Sequence, residues 1–363
     1  MDRFEWPMIL ISLLLTGTGL VLIFSATAAL GPAGRTFVVK QLTWCSLGVV
    51  LLASVLLLDY RLMERWVVWF YVGIVAALVV AWAIGKVAGG SQRWIEVGFM
   101  RFQPSEFAKL GVVLVLAKYY QTRSGRSGSE LEKVLTPLGL TAIPVFLTAI
   151  QPDLGTAGVI VLIAVSMMAF VGLSRGALLW IAGIMAAALP AVLFLGDRLL
   201  LDYQKRRLLT FLDPANDPLG AGYHILQSQI AIGSGGAFGK GFLEGTQNQL
   251  MFLPVKHTDF IFSVLAEEWG FAGALVALVL FGALLMRGLS IAAHARDNFG
   301  VLAAFGCTAL FFWHVAINVG MVTGLVPVVG VPLTFMSYGG SSLLMSFMAV
   351  AVLANVSMRR FSY

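Results

Sequence analysis

Charge is what this sequence has least of. Only 12% of its 363 residues are Asp, Glu, Lys or Arg, about half the usual share for a soluble domain. With 59% hydrophobic residues and a mean hydropathy of +0.90, the chain cannot hide its apolar surface from water and must use lipid as its solvent. Cysteine is nearly absent. Cys45 and Cys307 each lie in an apolar run, which excludes a disulfide framework and a Cys-based metal motif. The four histidines are scattered without paired spacing, which argues against a zinc site. The formal charge of +6 is read as topology and lipid contact rather than nucleic-acid binding.

What is present is a succession of apolar runs. A span needs roughly 20 apolar residues, and the runs predict an all-α, polytopic membrane protein of about ten transmembrane helices. They fall near residues 7–29, 38–58, 66–85, 105–118, 134–150, 155–172, 176–195, 260–286, 299–325 and 336–356. The first is read as a span, not as a cleaved leader. Residues 299–358 carry no charge. The segment PVVGVP at 327–332 breaks that run, because its prolines lack the N–H a helix needs.

Ten spans put both termini on one side. The segments on that side hold twelve basic residues: Arg3, Arg61, Arg65, Lys118, Arg123, Arg126, Lys133, Arg175, Arg287, Arg296, Arg359 and Arg360. The short segments opposite hold five: Arg35, Lys40, Lys86, Arg93 and Arg101. Positive charge favours the cytoplasm, so both termini are expected to be cytoplasmic. Residues 1–363 then form a single membrane domain. Its outer side carries a loop at 86–104 and a much longer one at about 196–259, between the seventh and eighth spans. Within the long loop, 197–212 mixes apolar and basic residues in the manner of an interfacial segment. Residues 222–232 read as a short amphipathic helix, and GSGGAFGKG at 233–241 as a glycine-rich turn.

Charges near such helices are informative. Ser105 can cap the fourth span. Glu106 falls in its first turn, where the helix dipole favours an anion, and Lys109 lies on the same face. A capped helix with an ion pair and a reactive pair both fit that spacing. Arg93 and Trp94 suit either an interfacial belt or the docking of a phosphate and a sugar. Asp153, in QPDLG, suits a turn cap or the same cavity. Lys205, Arg206 and Arg207 suit a lipid anchor or a diphosphate. Asp259 stands where the long loop enters the eighth span, as a cap or as a reactive carboxylate. Glu267 and Glu268 lie about 12 Å further on and need partners. His314 and Asn318 are the candidates, most simply in an interhelical polar clamp. SYGGSS at 337–342, with Ser342, is expected to open the last helix.

These polar residues sit in strings that resemble the SEDS family of shape, elongation, division and sporulation proteins. The strings are QRWI at 92–95, FQPSEFAK at 102–109, QPDLGTA at 151–157, IAIGSGG at 230–236, LPVKHTDFIFSVLAEEWG at 253–270 and SYGGSS at 337–342. Within the family, GKGFLEGTQNQL at 239–250 and FFWHVAINVGMVTGLVPVVGVPL at 311–333 resemble the elongation branch more than the division branch. Thr334, where that pattern has proline, is a small departure. The resemblance implies a peptidoglycan glycosyltransferase that polymerises lipid II on the outer face of the bacterial cytoplasmic membrane. It implies Asp259 as general base, with Glu106 and Lys109 as catalytic partners. Arg93, Trp94, Arg101, Gln103, Asp153, Lys205, Arg206, Arg207 and Ser342 are the expected substrate-binding residues. These motifs identify no certain cofactor; a divalent cation such as magnesium or manganese would suit a diphosphate leaving group. The expected partners are a class B penicillin-binding protein and other membrane proteins of the elongation complex. A lipid II flippase and a non-catalytic scaffold are the competing classes. Glu267 and Glu268 are the best argument for transport.

If the basic cluster acts through charge, replacing Lys205, Arg206 and Arg207 together with Gln will weaken substrate use, most at low salt, where exposed charges are least screened. Initial rates across a salt series, on protein shown to insert normally, check this. Unchanged rates would make the cluster an anchor only.

Overall fold

The computed structural model describes residues 5–88, 91–97, 100–123, 130–172, 183, 221–252 and 256–359. The expected span at 176–195, the segment 197–212 and the Lys205–Arg207 cluster lie outside the described residues, apart from Gly183.

The chain is helical for the reason that lipid imposes: every backbone N–H and C=O must be satisfied within the element itself. Helices α1 (Trp6–Thr27), α2 (Pro32–Leu57) and α3 (Tyr60–Ile84) come first. Strands β1 (Lys86–Ala88), β2 (Ser91–Val97) and β3 (Met100–Phe102) follow. Then come α4 (Pro104–Arg123), α5 (Glu130–Ile150), α6 (Leu154–Phe170), α7 (Ala221–Ser234), the short α8 (Thr246–Gln249), α9 (Ile261–His294), α10 (Asn298–Thr323) and α11 (Gly340–Met358). Seven of these are long and apolar enough to cross a membrane. The shorter α6 and the charged α4 bring the spans matched among the described residues to nine of the ten expected. Proline opens α1, α2 and α4, where its missing N–H costs no hydrogen bond.

Helix α4 forms the axis of the bundle. Every residue from Pro104 to Ala117 is buried, against α3, α6, α10 and α11. Helix α11 is almost as enclosed and packs along α2. At Gly48 a side chain would collide with the Phe347 ring, so glycine lets these two backbones approach. Large apolar side chains on the outer faces, among them Trp66, Trp69, Phe146, Val279 and Met286, are exposed. In water they would aggregate; here they form the lipid contact. The end of the bundle holding the N-terminal residues is tied by polar clamps. Glu5 pairs with Arg287 at 2.9 Å and accepts from Ser357 at 2.8 Å. Asn355 donates to the carbonyls of Val55 and Leu58, both at 2.7 Å.

Two expectations are corrected. The segment 86–104, expected as a loop, contains strands. Residues 86–88, 91–97 and 100–102 within it form a three-stranded antiparallel sheet in the order β1-β2-β3, with Ile95 opposite Phe102 and Glu96 opposite Arg101. Pairing satisfies backbone groups that a loop beside the membrane would leave to water. The eighth span is not one continuous helix either. Gly270 adopts φ 67°, ψ −164°, and breaks α9. The glycine-rich turn fills the break. Lys240 and Gly241 donate backbone N–H groups to the carbonyls of Glu267 and Glu268, each at 3.0 Å. Phe271 and Ala272 donate in return to Gly236 and Ala237, each at 2.9 Å. Nothing in the apolar periodicity announces the break, because it exists only when the turn docks.

Gly270→Ala forces a side chain into a left-handed backbone and against the 238–239 backbone. It should cost on the order of 2 kcal/mol or more and lower the melting temperature in detergent. Gly282→Ala, with open space around it on the same helix, should not. Equal melting temperatures for the two variants would show that the break is not under constraint.

Candidate active site

Both α4 and α6 begin at the end of the bundle that carries the sheet, and there the polar residues converge. Asp153 precedes α6 and caps it, accepting from the Thr156 N–H at 3.3 Å. The same buried carboxylate takes Arg93 from β2 at 3.0 Å. It also accepts from Gln103 Nε2 at 3.0 Å. Ser105 joins this network through Gln103, at 3.0 Å. Because α4 starts at Pro104, Ser105 sits inside the first turn and does not cap it, contrary to expectation. The Gln103 N–H donates to Ser341 Oγ at 2.9 Å, and Ser341 donates to the Arg101 carbonyl at 3.4 Å. The sheet, α4, α6 and the start of α11, where Ser342 is also buried, are thus joined by one network. Arg101 itself is 63% exposed and pairs with Glu96 at 3.4 Å. Trp94 lies half-buried on β2.

One turn into α4 lies a second group of buried polar residues. Glu106 and Lys109 are 3% and 1% exposed and form an ion pair at 2.9 Å. The second carboxylate oxygen of Glu106 has no hydrogen-bond partner among the described residues. Lys109 Nζ also lies 2.8 Å from His314 Nε2, and His314 Nδ1 lies 3.0 Å from the Pro332 carbonyl. Asn318, one turn further along α10, uses both amide hydrogens. One goes to the backbone carbonyl of Asp259 at 2.9 Å, the other to that of Val331 at 2.8 Å. A side chain at Gly330 would stand 3.5 Å from an Asp259 carboxylate oxygen. His314, Asn318 and the segment 330–332 therefore bridge Lys109 on α4 to Asp259. The cap position of α9 is Phe260, so Asp259 is not its cap residue.

The expected pairing of Glu267 and Glu268 with His314 and Asn318 is overturned, since the latter two serve Lys109 and Asp259. Glu267 instead accepts from Lys240 Nζ at 2.8 Å and from the N–H groups of Gln247 and Asn248 at 2.9 and 3.2 Å. Glu268 accepts from Ser25, and from Asn248 Nδ2 at 3.0 Å. Lys256 donates to the Asn248 carbonyl, three residues before Asp259. The acidic pair is a clamp, as its depth suggests, but it clamps the loop and α1.

Sequence reasoning also missed Gln41. Its side chain donates to the Ser337 carbonyl and accepts from the Gly339 N–H, each at 3.2 Å. A glutamine in an otherwise apolar span was the available signal. Ser337 donates to the Thr258 carbonyl at 2.6 Å, and the Tyr338 N–H to that of His257 at 2.8 Å. The SYGGSS turn thus holds the chain on the approach to Asp259. Among the described residues no three His, Cys, Asp or Glu side chains converge on a possible metal. A divalent cation here would have to be shared between a carboxylate and substrate phosphates.

Fold and site together define a polytopic helical membrane protein with a carboxylate, an ammonium and an imidazole buried together and tied through α10 to the backbone of Asp259. The family model of the FtsW, RodA and SpoVE cell cycle proteins matches residues 5–361. Peptidoglycan glycosyltransferase MrdB of Escherichia coli K12 is 41% identical over 342 residues, covering 94% of this chain and 91% of its own. Peptidoglycan glycosyltransferase RodA of Treponema pallidum is 34% identical, covering 98% of each chain. A chain from the solved structure of a peptidoglycan synthase complex superposes with a TM-score of 0.83 at 30% identity, covering 99% of both. The chain belongs to the SEDS family.

Burial, with the Lys256 charge next in importance, holds His257 below its usual pKa. The unfolded chain therefore binds this proton more readily than the folded one, so stability falls as pH drops below about 6.5, the free histidine value. The melting temperature of His257→Gln should change less between pH 7.5 and 5.5 than that of wild type. Parallel curves would rule His257 out as the cause.

Proposed function

We propose that this chain is a peptidoglycan glycosyltransferase that polymerises lipid II at the outer surface of the bacterial cytoplasmic membrane during cell elongation, with Asp259 as general base. The observation that carries the reaction is the near-full-length match to proteins named peptidoglycan glycosyltransferases. The residue roles rest on the chemistry. A sugar hydroxyl attacks an anomeric carbon, its proton passes to a carboxylate, and the bond to a polyprenyl diphosphate breaks. The hydroxyl is a weak nucleophile, so a positioned carboxylate helps. The leaving group gathers negative charge, so fixed cations help. Asp259 is the carboxylate, Lys109 and Arg93 supply the charge, and Glu106 holds Lys109 in place. Trp94, Arg101, Gln103, Asp153 and Ser342 line the approach, and Lys205, Arg206 and Arg207 add charge from the long loop.

A helix end at the membrane boundary suits substrates with a polyprenyl tail and a polar head. Both termini lie in the cytoplasm on this reading. A class B penicillin-binding protein is the partner that would cross-link the product, in keeping with the synthase complex to which this fold is similar, and other membrane proteins of the elongation complex would join them. The transport alternative loses its main support, because Glu267 and Glu268 are both engaged in holding the 240–249 segment and α1.

Asp259→Asn should leave a folded, partner-binding protein whose polymerisation falls by about 10²–10⁴-fold, the usual loss without a general base. Gel analysis of glycan made from labelled lipid II measures it. Near-wild-type product from the Asn variant would remove Asp259 from this role. Lack of product from wild type with its partner would count against the activity itself.

A further inference from the structure

We propose that His314 is a positioning residue for Lys109: its Nε2 lone pair holds the ammonium against Glu106, leaving one N–H of Lys109 for the departing diphosphate. The proposal rests on the glycosyltransferase reading for the identity of that anion. The tautomer follows from the neighbours. The Pro332 carbonyl can only accept, so the imidazole proton must be on Nδ1, 3.0 Å away. Nε2 is then a bare acceptor, 2.8 Å from Lys109 Nζ. An imidazolium there would set two positive charges against each other with no acceptor between them. Lys109 has three donors. Glu106 Oε1 takes one at 2.9 Å and His314 takes a second, so among the described residues one remains. Without His314 the ammonium would be held at a single point by a carboxylate three residues away on its own helix, and could rotate about the lysine stem. His314 is fully buried on α10, so it also sets Lys109 relative to Asn318, which holds the Asp259 backbone.

The test combines kinetics with a spectroscopic readout on the full chain. His314→Leu should lower kcat about ten- to hundredfold, the value of one charge-assisted hydrogen bond, with KM for lipid II little changed. His314→Gln, whose amide oxygen can accept but which does not titrate in this range, should recover most of the loss. In a Lys109→Ala background His314→Leu should have no further effect. Additive losses, or a His314→Leu enzyme with wild-type kcat, would overturn the proposal. The second measurement needs no activity. In protein labelled with ¹⁵N-histidine, the resonance lost in His314→Gln should report a neutral ring protonated on Nδ1 at pH 7, and should shift in Lys109→Ala. An Nε2–H ring or an imidazolium there would refute the proposal even if wild type made no glycan. Absence of glycan with the expected tautomer would count against the enzymatic reading alone.

Discussion

A lysine ammonium buried inside a membrane bundle is the constraint around which this structure is arranged. A charge at such a depth is costly unless it is paired and hydrogen-bonded. Lys109 meets that requirement with a carboxylate from its own helix and an imidazole from α10. Its burial requires α4 to be enclosed on all sides, which the packing of α3, α6, α10 and α11 provides. It requires α10 to stand at a fixed rotation, so that His314 faces inward. It requires the chain after α10 to return, so that the Pro332 carbonyl fixes the imidazole. The same return places Val331 and Gly330 beside Asn318 and Asp259.

Asp259 is held from the other direction by the break in α9. Helices in lipid gain little from apolar contact with one another, so polar groups and close approaches decide their arrangement. The carbonyls exposed by Gly270 accept the backbone of the glycine-rich turn. The two buried glutamates then fix the following segment, and Lys256 ties its far end to Asn248. The aspartate is reached by two independent supports, one from the α4–α10 pair and one from the clamped loop. The role proposed for Asp259 as general base would benefit from such rigidity, because misplacement weakens proton transfer and charge stabilisation alike.

The two ends of the bundle use similar residues for different ends. Around Glu5, Arg287, Asn355 and Ser357, charges and amides meet carbonyls or each other, and the result joins helix termini. Around Asp153, Glu106 and Lys109, the polar groups converge from the sheet, two helices and a turn. There Glu106 Oε2 and Asn318 Oδ1 are buried acceptors without a hydrogen bond among the described residues. Unsatisfied buried acceptors cost stability.

Composition alone determined that the chain lives in lipid, because 59% hydrophobic and 12% charged residues leave no soluble alternative. Apolar run length determined the spans and the turn at 327–332, since lipid thickness and proline chemistry act locally. The motif strings determined the family, and with it Asp259, Glu106 and Lys109 as residues to watch. Tertiary structure decided their partners. His314 and Asn318 were visible as polar residues one turn apart, but sequence could not say whether they faced the glutamates of α9 or the lysine of α4. That choice depends on helix rotation, which near-uniform hydrophobicity leaves unmarked. Asp153 is both cap and ion-pair partner because a sheet that apolar patterning did not reveal carries Arg93 to it. The break at Gly270 belongs to the same class: a glycine permits it, and only the docked turn, bonding to carbonyls the helix would otherwise use, makes it favourable.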